Sequence, residues 1–220
     1  LSVAKNGQNP QFTADELAAI VSTAKDYGML TAAHAHGDEG MRRAIIAGIK
    51  TIEHGTLMEP STMDLMVKYD AYLVPTISAG KAAAANAAIP GYFPEVIAKK
   101  ALEIGPRSQS TFAAAYKKGV KIAFGTDAGV SPHGDNAKEF GFMVAAGMPV
   151  MEAIAAATIT NANLLGYSNS LGQLKQGYTA DIVAVNEHPQ ANVSTLEQVV
   201  FVMKEGLIFK NQDKEVLRDY

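Results

Sequence analysis

Three short apolar stretches of this chain each end in a side chain that could bind a metal or move a proton. They read TAAHAHG, TIEHG and IAFGTDAG, and their terminal groups are His34 with His36, then His54, then Asp127. Neutral imidazole and carboxylate are ligands that suit zinc and its neighbours in the first transition row. The pattern therefore favours a metal site, beside which a carboxylate could accept a proton from metal-bound water.

Each of these residues also has a structural interpretation. A single Asp at a strand end is more often a turn former, and a single strand-end His is more often structural. Residues two apart on a strand share a face, so His34 and His36 could both reach one metal if the strand continues to Gly37. Alternatively, one of them binds the metal and the other lies at the rim. Three such strand ends in succession favour the functional interpretation.

The segments between these stretches alternate helix and strand. Residues 1–12 read as a polar loop, after which Thr13 and Glu16 form a capping-box motif that predicts a helix ending near Gly28. A strand at 29–34, a helix at 39–47, a strand at 49–53, a helix begun by Ser61 and a strand at 71–76 follow. Residues 78–95 read as an Ala-rich connection broken by Pro90, Gly91 and Pro94. Helices are predicted at 95–104 and 108–118, before the strand that leads to Asp127, and at 136–147 and 149–165 after it.

This order predicts an α/β fold with a parallel sheet covered by helices. An open doubly wound sheet and part of an eight-stranded barrel both fit it, and in either fold the active groups lie at the carboxyl ends of the strands. From Gly172 onwards the sequence pattern changes and predicts short strands at 180–186 and 199–209. The second of these is predicted to fold back on itself at a turn over 204–206. We therefore predict a barrel-type domain over 1–171 and a small β domain over 172–220.

Composition narrows the classes of partner. The 220 residues carry a net charge of -3, and no cluster of Lys and Arg forms a basic face, so nucleic acid and anionic membrane surfaces are not expected partners. The chain has no cysteine, which excludes disulfides, thiolate catalysis and Cys-type zinc sites. A small molecule is the expected substrate class.

The three motifs together resemble the amidohydrolase superfamily. HAHG, IEHG and FGTDAG carry the likeness, and within the superfamily the chain is most similar to the imidazolonepropionase-like branch that includes Xaa-Pro dipeptidases. The stretches GTDAGVSPHGDNAKEF and LGQLKQGYTADIVAVN also resemble sequences typical of the family. The resemblance implies a distorted (β/α)8 TIM-like barrel with a small β-sandwich. It also implies metal binding by His34, His54 and Asp127, with Asp127 as the proton shuttle.

Spacing identifies which part of such a barrel is present. A full barrel takes about 250 residues, whereas the interval from His34 to Asp127 has room for only four strands. HAHG therefore corresponds to strand five, and the chain to strands five to eight, the C-terminal half. The family's first-strand His-x-His pair and its strand-four lysine are not in this sequence. We expect a missing N-terminal half, or a partner subunit or second copy in a homo-oligomer, to complete the site, and the 220 residues alone to be inactive.

The implied activity is metal-dependent hydrolysis of an amide or peptide C–N bond, with Xaa-Pro dipeptides as the leading substrates. The expected cofactor is a divalent metal, zinc first, as one ion or two. His36, His133 and Asn136 are candidate substrate contacts. The alternatives are a mononuclear cyclic amidohydrolase or deaminase, and a non-catalytic scaffold of the same fold. Retention of all three implied ligands favours an enzyme.

Overall fold

The chain folds around a four-stranded parallel sheet, followed by a separate three-stranded antiparallel sheet. A computed structural model describes residues 7–212. The parallel sheet has the order β1-β2-β3-β4, formed by β1 (Ala32–Ala35), β2 (Thr51–His54), β3 (Tyr72–Val74) and β4 (Lys121–Ile122). The antiparallel sheet contains β5 (Ile182–Ala184), β6 (Phe201–Lys204) and β7 (Leu207–Asn211). The predicted α/β class with a parallel sheet is confirmed.

Helices connect the parallel strands and continue after the last of them. Their bounds are α1 (Ala14–Asp26), α2 (Asp38–Ala47), α3 (Pro60–Lys68), α4 (Ile77–Ala87), α5 (Glu95–Ile104), α6 (Arg107–Lys117), α7 (Lys138–Ala145), α8 (Val150–Ala155) and α9 (Asn161–Leu164). A π-helical segment, Ala156–Thr160, joins α8 to α9. No helix in the described part of the chain is both long and apolar enough to cross a membrane.

Local signals fix the ends of the first two helices. At α1, Glu16 N donates to Thr13 Oγ1 at 3.3 Å and Thr13 N donates to Glu16 Oε2 at 2.8 Å, so the predicted capping box is present. At α2, Gly48 adopts φ 100°, the left-handed conformation that ends many helices. Residues 7–12 before α1 are irregular, as predicted, while residues 1–6 of that loop lie outside the described part.

Two predictions between β2 and α5 are wrong. Helix α3 begins at Pro60 with Glu59 as N-cap, rather than with Ser61, because proline is well suited to the first helical turn. Residues 78–95 are not simply a connection, since the eleven-residue helix α4 occupies most of them. Its alanines are strong helix formers, and a buried carboxylate from α7, described below, binds the backbone at its start.

The core packs the helices against the parallel sheet. Its central side chains are fully buried and include Ile45 of α2, Ile52 of β2, Leu73 of β3, Phe112 of α6 and Met143 of α7. Burial of a side chain of this size contributes about 1.5–3 kcal/mol. The strand ends that carry the motif residues are therefore held by a continuous core.

The C-terminal hairpin forms where the sequence predicted it. Strands β6 and β7 are joined through Glu205 at φ 52° and Gly206 at φ 83°, two consecutive left-handed residues that match the twist of a tight hairpin. Together with β5 they form one antiparallel sheet. A second sheet is absent from the described residues of this region, so the β-sandwich remains a prediction, and residues 213–220 lie outside the described part.

Candidate metal centre

Three histidines meet at the carboxyl edge of the parallel sheet. A ring nitrogen of each of His34, His36 and His54 lies within 4.8 Å of the others. The ring centroids are 4.8 Å apart for His34 and His36, 4.5 Å for His34 and His54, and 4.9 Å for His36 and His54. The cluster arises because β1 and β2 are parallel, with Ala35 directly beside His54. The backbone bond from Leu57 N to His36 O, at 3.1 Å, extends this pairing past the end of β1.

Threonine hydroxyls fix two of the imidazoles. His36 Nδ1 lies 3.0 Å from Thr56 Oγ1, and His54 Nδ1 lies 2.6 Å from Thr76 Oγ1. With Nδ1 engaged in a hydrogen bond, Nε2 is the ring atom that can bind a metal. Such partners orient a ligating histidine and select its tautomer.

Burial keeps these imidazoles neutral. It lowers the pKa of His36 to about 3 and that of His54 to about 4, and the neighbouring imidazoles act in the same direction. Burial also lowers the pKa of His34, the most exposed of the three. Since a histidine binds metal only in its neutral form, the cluster is in the ligating state at neutral pH.

Three residues at or just beyond strand ends have left-handed backbones. They are His54 with φ 71°, Thr76 with φ 46° and Asp127 with φ 52°. This conformation is uncommon for any residue with a side chain, and especially for a β-branched threonine. Each such residue costs roughly 1–3 kcal/mol and persists where the surrounding structure enforces it, often at functional sites. All three contribute to the same cavity.

A buried carboxylate enforces the conformation near Thr76. Glu139 of α7 is fully buried and accepts hydrogen bonds from Ile77 N at 2.8 Å, Ser78 N at 2.7 Å and Ser78 Oγ at 2.6 Å. These are the first residues of α4, immediately after Thr76. Burial raises the pKa of Glu139, while the donors from Ser78 and Ile77 oppose that shift.

The backbone between β4 and Asp127 is held by two hydrogen bonds with one side chain. The side chain of Asn161 accepts from Phe124 N at 3.1 Å and donates to Phe124 O at 2.9 Å. Asp127, three residues further on, is exposed and lines the same cavity as the three histidines, but its carboxylate is not in the group whose ligand atoms lie within 4.8 Å of one another. Burial raises the pKa of the nearby Glu53, and the negative charge of Asp127 acts in the same direction. The hydrogen bond from the Thr51 hydroxyl to Glu53 Oε1, at 2.6 Å, lowers that pKa.

The other two candidate residues lie outside this group. His133 and Asn136 are exposed and are not among the described residues that line the cavity. Asn136 instead accepts from Gly134 N at 3.2 Å and donates to Thr126 Oγ1 at 3.3 Å, so it organises the loop beside Asp127. Their substrate contacts remain predictions.

The sequence analysis missed Thr56, Thr76, Glu139 and Asn161. The two threonines had a weak signal, because Thr56 directly follows the IEHG motif and Thr76 ends the predicted strand at 71–76. Glu139 lies within the GTDAGVSPHGDNAKEF stretch but was not singled out there, and Asn161 had no signal. Their sequence neighbours predict ordinary helices, and their partners lie 61 and 37 residues away.

The donor set fits a divalent metal. Zinc binds nitrogen at about 2.0–2.1 Å, so neighbouring donors on one tetrahedral ion lie about 3.4 Å apart. Two ions in a shared site lie about 3.5–4 Å apart. Three neutral imidazoles within 4.8 Å of one another, two of them oriented by hydroxyls, are compatible with one ion after small side-chain rotations, or with a pair.

A cavity of about 480 Å³ opens from the histidines. Its floor is formed by the cluster together with Asp127, and most of its wall comes from α4, α5 and the segment between them. This is the size range of small-molecule sites, which are usually apolar with a few convergent polar groups.

This chain is similar in sequence and fold to known proteins. The chain matches the family model described as the amidohydrolase family over residues 2–208. It is 34% identical over 205 residues to ochratoxinase from Aspergillus niger, covering 91% of this chain and 42% of that protein. It is 54% identical to a solved Xaa-Pro dipeptidase with bound methionine in the active site, with a TM-score of 0.93 and coverage of 96% of this chain and 52% of that one.

A prolidase solved in complex with N-methylphosphonate-L-proline is 28% identical, with a TM-score of 0.84 and coverage of 92% and 50%. The chain thus spans about half the length of these relatives. The match over residues 2–208 confirms the resemblance drawn from the motifs, and the chain belongs to the amidohydrolase family.

Proposed function

We propose that the protein carrying this chain is a metal-dependent hydrolase of amide bonds that acts on Xaa-Pro dipeptides. The observation that carries the proposal is the cluster of three neutral imidazoles beside Asp127 at the floor of an apolar cavity. The relatives support the reaction class, since they include an Xaa-Pro dipeptidase and a prolidase.

We assign His34, His54 and Asp127 as metal ligands, with zinc as the metal. A divalent ion held there would polarise the substrate carbonyl and lower the pKa of a water molecule. Asp127 accepts the proton of the attacking water and returns it to the leaving nitrogen. His36 was expected as a substrate contact, but its nitrogen is as close to the cluster as the others, so we include it as a further ligand candidate.

The hydroxyl groups serve the imidazoles rather than the substrate. Thr76 and Thr56 hold His54 and His36 in one orientation, so little side-chain freedom is lost when a metal binds. Glu139 fixes the turn that presents Thr76, and Asn161 fixes the backbone that leads to Asp127.

We further propose that additional barrel strands complete the parallel sheet, supplied by the same protein or by a partner subunit. In the described part of the chain, β1 and β4 are the two edges of the sheet. Exposed strand edges promote association, and natural proteins normally cover or pair them. On this proposal, the four strands are strands five to eight of a (β/α)8 barrel, and the described chain by itself does not turn over substrate.

The test is metal analysis and dipeptide hydrolysis with the intact native protein. We expect about one or two zinc equivalents per chain, and turnover of Met-Pro and Ala-Pro that a chelator abolishes. His54→Ala and His34→Ala should lose metal and turnover together, whereas His188→Ala, at an exposed position that is not among the described cavity-lining residues, should retain both. A well-folded protein that binds no metal would instead favour the scaffold alternative and overturn the proposal.

A further inference from the structure

The cavity has a part that the proposed hydrolysis does not use. Beyond the histidines it extends between α4 and α5, and we call this region the α4–α5 pocket. Apart from Asn86 and Ser108, its side chains are apolar or aromatic: Ala79, Ala83, Tyr92, Phe93, Ile97, Ala101 and Ile104. None of them can act on a scissile bond, so a role in binding has to be considered.

The wall of the α4–α5 pocket is already formed. Ala79, Ala101 and Ile104 are nearly fully buried, which means that their positions are set by packing. Gly80 and Gly105 allow the start of α6 to lie directly against α4: a Cβ on Gly80 would come within 2.7 Å of Ser108 Oγ, and one on Gly105 would collide with Gly80 O. The packing of α6 against α4 therefore gives this part of the wall a fixed shape.

The mouth of the pocket is aromatic and more exposed. Tyr92 and Phe93 lie in the short segment between α4 and α5, with their rings edge to face at 4.9 Å. Tyr92 is 54% exposed. Aromatic rings at the rim of a rigid apolar space are well suited to cover a ligand side chain.

The charge distribution decides which part of a substrate fits. None of the described residues that line the cavity is a lysine or an arginine, and its charged or titratable groups are the histidines and Asp127 at the floor. The nearest cation on α4, Lys81, lies over the ring of Phe142 at 4.9 Å and does not line the cavity. The described lining of the pocket therefore offers a substrate carboxylate no cationic partner, only neutral donors such as Asn86, and a dipeptide carries its carboxylate on the C-terminal residue.

We propose that the α4–α5 pocket binds the uncharged apolar side chain of the residue on the acyl side of the scissile amide, and so determines substrate preference. The inference rests on the proposed function, because it takes the carbonyl to lie at the histidines. The acyl side chain then enters the pocket, and the proline with its carboxylate lies outside it. Unbranched or aromatic side chains are favoured, whereas glycine leaves the pocket empty and acidic side chains are excluded.

The test compares substrates in the intact native protein. Each buried methylene contributes about a fourfold preference, so kcat/KM for Met-Pro should exceed that for Gly-Pro by roughly 10- to 200-fold. Ala83→Leu fills the pocket and should lower kcat/KM for Met-Pro about tenfold or more while changing Gly-Pro by less than about threefold. Ala85→Leu, on the exposed side of α4, is the matched control and should retain the wild-type ratio.

A second variant distinguishes a change in substrate preference from a loss of folding. Ile97→Ala enlarges the pocket and should raise the ratio of Phe-Pro to Ala-Pro turnover, whereas Val96→Ala, 55% exposed beside it on α5, should not. If Ala83→Leu and Ile97→Ala lower the melting temperature but change every substrate equally, protein rather than substrate fills the pocket, and the inference is wrong.

Direct binding separates this inference from the proposed function. Calorimetry with L-norleucine and glycine on the metal-loaded protein should detect norleucine only, and Ala83→Leu should weaken its binding about tenfold or more. Norleucine binding without hydrolysis of any Xaa-Pro dipeptide would reject the proposed function and retain the pocket. Hydrolysis with no preference among apolar, small and acidic acyl residues would retain the function and reject the pocket.

Discussion

Glu139 and Ser78 form a buried pair in which one carboxylate oxygen accepts from both Ser78 N, at 2.7 Å, and Ser78 Oγ, at 2.6 Å. Ser78 is the second residue of α4, and Glu139 is on α7. The pair fixes the turn at Thr76, whose hydroxyl lies 2.6 Å from His54 Nδ1. A helix that contributes no candidate ligand therefore orients one of the three imidazoles.

Glu139→Gln should weaken both stability and metal binding. The substitution replaces one acceptor oxygen with an NH₂ group. That group then faces the Ile77 or Ser78 donor that the oxygen had accepted from, so two donors face each other without an acceptor. A buried donor left without an acceptor costs about 1–3 kcal/mol, so urea unfolding should show a loss in that range. Metal affinity should also fall, because Thr76 and His54 lose their fixed position.

Glu152→Gln is the control for this change, since Glu152 accepts from the Tyr116 hydroxyl at 2.8 Å on the exposed surface. It should leave metal affinity unchanged. Destabilisation by Glu139→Gln with full metal affinity would limit Glu139 to a structural role in capping α4.

Thr76→Val should reduce metal affinity while Thr76→Ser should not. Valine keeps the shape of the side chain but removes the hydroxyl partner of His54 Nδ1, and loss of such a partner typically costs 10- to 100-fold in metal affinity. Serine keeps the hydroxyl and lacks the β-branch, which is unfavourable at φ 46°. Competition with a chromophoric chelator measures both variants, and equal affinities would show that the hydroxyl does not support His54.

Asn161→Ala should lower kcat with little effect on KM. The variant leaves Phe124 N and Phe124 O without the partners that hold the strand end before Asp127. A displacement of about 1 Å at a reacting group can cost about 100-fold in rate. Asn163→Ala, exposed on the same helix, is the control, and a normal kcat for Asn161→Ala would mean that β4 and its neighbours hold Asp127 unaided.

Asp127→Asn tests the proton acceptor itself. The amide preserves size and one oxygen but cannot accept the proton, so kcat should fall by about 100- to 10,000-fold. Circular dichroism should be unchanged, because Asp127 is exposed and its backbone conformation is accessible to asparagine. A decrease under about tenfold would reassign Asp127 to a turn-forming role.

The sequence predicted the elements whose causes are local. The capping box of Thr13 and Glu16, the helix end at Gly48 and the hairpin turn at Glu205 and Gly206 all depend on residues a few positions apart. The start of α3 was misplaced because Ser61 and Pro60 offered competing local signals one residue apart. The helix α4 was missed because Pro90, Gly91 and Pro94 suggested a loop, while the contact that begins the helix comes from Glu139.

By itself, the sequence determined that three apolar segments lead to His34 with His36, to His54 and to Asp127, because hydrophobic pattern and residue type are local properties. Only the tertiary structure decided that the three imidazoles lie within 4.8 Å of one another, since that distance depends on the parallel register of β1 and β2. It also decided which hydroxyl holds which ring. A hydrogen bond between residues 22 or 61 positions apart, such as those of Thr76 with His54 and of Glu139 with Ser78, exists only after the core has packed the helices against the sheet.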